Sequence, residues 1–127
     1  MRNVILALLL LLSAISVSAD TENLYAWYSF YNHAYFQDEL PTTVVITRNL
    51  KDDRFMALTE YTDDGYYHIE FNPKYSPSPK QERMTLLHEQ CHIRLDIEKQ
   101  GDFGDHGVEF QHCMHDVSKQ GALEALW

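Results

Sequence analysis

The residues best equipped for chemistry are His88, Glu89 and His92, in the stretch His88-Glu89-Gln90-Cys91-His92. On an α-helix, histidines four positions apart lie about one turn from each other, so both imidazoles leave the same face and can grip one Zn²⁺. Glu89 lies about 100° round from His88 and can reach a water held at such a metal. Neutral nitrogen ligands, an open coordination position and a carboxylate that accepts a proton are what hydrolysis of an amide requires. The competing reading is an exposed helix that carries these residues to no purpose, and the surrounding elements decide between the two.

The helix itself is signalled in the sequence. Ser78 as N-cap, Pro79 at the first position and Gln81 at the third form a capping box, predicting a helix from there to about Gln100. Gly101, after Lys99, supplies the stop. Met84, Cys91 and Leu95 flank the histidines, while Leu86, Ile93 and Ile97 fall on the opposite side. A helix apolar on two sides is buried between layers, and histidines and a carboxylate buried with it need a partner such as a metal.

A catalytic zinc takes a third protein ligand. The extended pattern HExxHxxGxxH requires glycine and histidine where the chain has Leu95 and Glu98, so that class is excluded. Glu109 and Asp116 are carboxylate candidates without a recognisable acidic motif, and His112 is a lower-ranked imidazole. His106 is favoured: it sits in the glycine-bounded loop Gly104-Asp105-His106-Gly107, which can fold the ring back onto the preceding helix. His112 and His115, on the next helix, are expected at the surface or just behind the ligands.

Other elements must position this site. Leu24, Trp27, Tyr28, Tyr31 and Tyr35 recur at helical spacing within Thr21 to Phe36, which predicts an N-terminal amphipathic helix with an aromatic core face and Thr21 as N-cap. Asp38-Glu39-Leu40-Pro41 ends it. Thr42 to Thr47, Phe55 to Thr62 and Tyr66 to Phe71 read as strands, with a turn at Asp63-Asp64-Gly65 between the last two. Together they are expected to form a small three-stranded antiparallel sheet, with Tyr67, Ile69 and Phe71 inward and His68 on the polar face. A final helix starts near Val108 with Phe110, Met114 and Val117 as its apolar positions, and Gly121 to Trp127 is expected to pack loosely. The fold class is α+β.

Composition sets the context. The chain has 127 residues, 45% of them hydrophobic, enough for one core and too few for a second domain. Residues 1–19 have the plan of a secretory signal peptide, Arg2 followed by an apolar run from Val4 to Leu12 and a small-residue cleavage site ending at Ala19. That run is short of the ~20 apolar residues a membrane span needs. A domain over residues 20–127 and a secreted or periplasmic location, with no membrane span after cleavage, are therefore expected. Without Arg2 the chain carries 9 basic and 19 acidic residues, a formal −10, so tight general binding to nucleic acid is not expected.

His88-Glu89-Gln90-Cys91-His92 followed by His106-Gly107-Val108-Glu109-Phe110 resembles the SprT-like, Spartan-related zinc metallopeptidase family, in which HExxH is completed by a histidine in an HGxxF element. Thr85-Leu86-Leu87 before His88, and Asn32-His33-Ala34-Tyr35-Phe36 leading to Glu39-Leu40-Pro41, extend the similarity over about residues 23 to 115. The resemblance implies a zincin-like minimal domain that binds zinc through His88, His92 and His106, with Glu89 as catalytic base, and cleaves protein or peptide substrates. Two cysteines rule out the four-cysteine ribbon many members carry, and the acidity and leader set this chain apart from DNA-repair members. Cys91 and Cys113 are open to two readings, a disulfide in an oxidising compartment or two buried thiols. The expectation is a monomeric zinc metallopeptidase. A non-catalytic, zinc-stabilised binding module with an acidic surface, and a zinc hydrolase of a non-peptide amide, are the alternatives. Tyr66, Tyr67 and His68 are candidate oxyanion stabilisers.

Overall fold

The computed structural model describes residues 24–75, 78–99 and 106–123. The leader, its cleavage point, the Thr21 cap and residues 101–105 before His106 lie outside the described residues. Helix α1 occupies residues 24–35, followed by strands β1 (Val45–Thr47), β2 (Ala57–Tyr61) and β3 (Tyr67–Phe71), a 3₁₀ turn at Pro73–Tyr75, and helices α2 (Pro79–Glu98) and α3 (Val108–Lys119). This is the expected α+β arrangement of a minimal zincin-like fold. No described helix is long and apolar enough to cross a membrane.

The sheet differs from expectation in one respect. Its order is β1-β3-β2; β2 and β3 are an antiparallel hairpin, but β1 runs parallel to β3, pairing Ile46 with Ile69. The sheet is mixed. Alternation along a strand reports which face is buried and carries no information about a neighbour's direction. Tyr67, Ile69 and Phe71 do point into the core, at 6%, 0% and 0% exposure. The free edge of β1 is closed by Tyr25, whose hydroxyl accepts from the Ile46 amide at 2.9 Å and donates to its carbonyl at 3.3 Å.

Helix α1 places Leu24, Tyr28, Tyr31 and Tyr35 in the core. It ends before Pro41 acts, because Gln37 and Asp38 both take positive φ (54° and 59°) and the Phe36 and Asp38 amides bond back to the Asn32 carbonyl. Buried Asn32 also clamps Leu40 through both its amide and carbonyl, each bond 3.0 Å, which turns the chain toward β1. The Arg48 guanidinium, just beyond β1, grips Glu82 in the first turn of α2 with two bonds of 2.8 and 3.1 Å.

Helix α2 starts as its sequence signals, with the Ser78 hydroxyl accepting from the Gln81 amide at 3.1 Å. Its stop is earlier than Gly101: Lys99 takes the left-handed cap conformation (φ 57°) and donates to Asp96 and Leu95 carbonyls. The middle of α2 is buried on every side, from Leu86 and Leu87 through Glu89, Gln90, Cys91, His92, Ile93 and Leu95. Met84 and Ile97, toward its ends, are exposed instead. Gln90 ties α2 to α1 by donating to the Tyr28 carbonyl at 3.1 Å. Phe110, Cys113 and Val117 dock α3 on this core, and Ala122, in the tail expected to pack loosely, is fully buried.

Candidate metal centre and catalytic cleft

His88 and His92 leave one face of α2 a turn apart, and His106, immediately before the N-cap Gly107 of α3, closes on them. The three Nε2 atoms lie 3.0, 3.1 and 3.3 Å from one another. Nitrogens about 2.0–2.1 Å from a shared tetrahedral zinc lie about 3.3 Å apart, so this donor set fits the ion's size and geometry. Three imidazole nitrogens facing one point also cannot all satisfy each other as neutral rings, since each has one donor and one acceptor nitrogen. A cation resolves that conflict. Burial, with His106 close by, lowers the His88 imidazole to about 4, which keeps it in the neutral form that ligates metal.

Phe110 organises the three rings. Its centroid lies 4.7, 4.5 and 4.8 Å from those of His88, His92 and His106, and it stacks on His92 at 27°. Because Phe110 comes four residues after His106 on the first turn of α3, one short segment supplies both a ligand and the apolar wall behind the ligands. In the sequence Phe110 is both an apolar helix position and the last residue of the HGxxF element, and its spacing from His106 signals this placement.

Glu89 is 5% exposed, and its Oε2 accepts a 2.6 Å hydrogen bond from the Thr59 hydroxyl in β2. Burial raises the carboxyl to about 7, and the Thr59 bond works against that rise. Burial thus favours the protonated carboxyl, while Thr59 and a cation held by the histidines would favour the carboxylate. Thr59 carries no signal of this role in the sequence, since no local pattern announces a partner thirty positions away.

A cavity of about 340 Å³ opens on these groups. Arg54 to Ala57 leading into β2, the α2 face of Gln81, Met84, Thr85, His88 and Glu89, and His106 with Met114 line it. Cys91 and Cys113 are bonded, with Cα atoms 5.8 Å apart, so a covalent tie joins the HExxH helix to the helix that follows His106.

The comparisons decide the family. The sequence profile of the SprT-like family matches residues 24–125. The chain belongs to the SprT-like family. No curated protein matches it, and no solved structure does. In this SprT-like chain the histidine cluster and adjoining glutamate form a zinc site of the metalloendopeptidase type, reached by a cleft.

The remaining candidates are elsewhere. Glu109, His112, His115 and Asp116 are exposed on α3 and stand outside the cluster. His68 bonds Asp64 across the hairpin turn at 2.6 Å. Tyr67 donates its hydroxyl to Asp96 of α2, and Tyr66 is exposed; none of the three lines the cleft. The expectation that one of them stabilises an oxyanion thus has no geometric support.

Proposed function

We propose that this chain is an exported zinc endopeptidase whose ligands are His88, His92 and His106 and whose general base is Glu89. The observation that carries the reading is the buried Glu89 carboxyl beside three convergent imidazoles, at the wall of an open cleft. A purely structural zinc site has no use for such a group. Zinc, when bound, supplies Lewis acidity toward the scissile carbonyl and toward water. Glu89 then accepts a proton from the attacking water as the C–O bond forms, and gives it to the leaving amine as the C–N bond breaks. Thr59 holds the carboxylate in one rotamer throughout.

Substrate alignment follows from the sheet. Met56 and Thr62 bond to Asn72 and Tyr66 of the hairpin, so by antiparallel alternation the backbone groups of Ala57, Thr59 and Tyr61 face the free edge of β2. An extended peptide adding to that edge passes Glu89 at Thr59.

Export is supported by the leader-like residues 1–19 and by the Cys91–Cys113 bond, since such bonds persist in oxidising compartments. The domain proposed for the mature chain is 20–127, acting as a monomer. The acidity argues against transferring DNA-bound substrates to this member.

The test is metal analysis with casein digestion, with and without chelator. Glu89→Gln is expected to retain one zinc and lose at least ~100-fold in cleavage, the usual weight of a general base. Zinc retention with undiminished digestion would refute the role of Glu89. Zinc binding with no peptide cleavage but turnover of another amide would move the substrate class.

A further inference from the structure

The chain contains four methionines, Met1, Met56, Met84 and Met114, and the last three line the cleft beside the zinc ligands. Nine large hydrophobic side chains are exposed among the described residues; Phe55, Met56 and Met84 are three of them, and all three converge here. Exposed apolar groups scattered singly are ordinary, whereas a cluster in a concave site marks a surface built to be covered.

The polar groups of the same wall are already engaged. The Arg54 guanidinium is held by Asp52 at 2.7 Å and lies 5.3 Å over the Phe55 ring, and the Thr85 hydroxyl donates to the Gln81 carbonyl at 3.0 Å. The segment is also anchored from behind. Buried Asn72 donates to the Asp52 and Phe55 carbonyls at 3.2 and 3.3 Å, and its amide bonds to the Met56 carbonyl at 2.9 Å. What remains presented to an occupant, apart from the exposed Arg54–Asp52 pair, Gln81 and the zinc-site groups, is thioether and aromatic surface.

We propose that Met56, Met84, Met114 and Phe55 form a specificity subsite that takes a large apolar side chain, of the leucine, methionine or phenylalanine class, from the residue flanking the scissile bond. The proposal rests on the peptidase reading for its placement beside the bond that is cut. Methionine suits the task because its unbranched, polarisable chain repacks around differently shaped apolar groups. The subsite therefore accepts a class of side chains rather than one, and disfavours small polar residues that would leave it unfilled.

The experiment uses zinc-loaded full-length protein and fluorogenic peptides that differ only at the residues flanking the cleaved bond. Leucine, methionine or phenylalanine at one flanking position is expected to raise kcat/KM about tenfold to hundredfold over serine or aspartate, the span available from one large side chain in an apolar pocket. Met84→Asp, at a position 41% exposed and so tolerant of change, is expected to lower the leucine-to-serine ratio at least tenfold with zinc content and melting temperature retained. Met114→Ala should lower it less. A second readout needs no turnover: in the Glu89→Gln protein, the methyl resonances of Met84 and Met114 should move on titration with the leucine peptide and not with the serine peptide. Cleavage with no flanking preference, an unchanged ratio in Met84→Asp, or unmoved methyl signals would overturn the subsite while leaving the peptidase reading intact. Moved methyl signals without any cleavage would uphold the subsite and overturn the peptidase reading.

Discussion

Breaking the Cys91–Cys113 bond should cost this domain about 3 kcal/mol. The bond closes a loop of 22 residues, and the chain-entropy relation for that length removes about 11 cal/mol/K from the unfolded chain, or about 3.4 kcal/mol at 25 °C. The magnitude is large beside the ~5–15 kcal/mol that holds a typical domain together. The perturbation is the double variant Cys91→Ala/Cys113→Ala, or reduction of the native protein in mild denaturant. The assay is urea unfolding of the metal-free protein followed by circular dichroism, with a thermal scan in which the midpoint should fall by about 10 °C. Zinc affinity should fall much less than stability, because Phe110 and Val117, at 6% and 0% exposure, dock α3 on the core independently of the sulfurs. Two freely alkylated thiols in the unreduced protein, or a loss below about 1 kcal/mol, would refute the reasoning. A loss of zinc affinity as large as the loss of stability would show that the bond, and not the apolar contact, holds His106 in place.

Thr59→Val removes the hydroxyl that bonds Glu89 and keeps its shape. That bond lowers the Glu89 pKa, so its loss should raise it; activity requires the ionised carboxylate and grows as pH rises through that value, so the acid limb of the kcat/KM profile should move up by about one unit. An unmoved limb with normal zinc content would separate Thr59 from the base. Tyr67→Phe removes the hydroxyl that donates to Asp96, an interaction that joins β3 to α2 and, after burial, is the second cause of the raised Tyr67 pKa. Urea unfolding should show a loss of about 1–2 kcal/mol, with kcat within about twofold of wild type; a hundredfold fall in kcat would return Tyr67 to the oxyanion role.

How much was legible depended on the range of each interaction. Ser78 caps α2 where its own sequence says it should, because a cap is settled within four residues. Lys99, not Gly101, ends the helix: it takes the left-handed cap conformation that glycine favours but does not monopolise, so a glycine alone does not fix the last turn. The direction of β1, the Thr59 bond to Glu89 and the convergence of three methionines join positions far apart in the chain, and periodicity records only which face each presents.

By itself the sequence determined the two-part zinc motif, its helix and the buried face of β3, because ligand spacing, capping and alternation are local geometry. Tertiary structure alone decided that His106 meets His88 and His92 at 3.0 and 3.1 Å, that Glu89 is desolvated, and that the cysteines come within bonding distance. Those properties depend on distances and dielectric between elements, which exist only once the chain has packed.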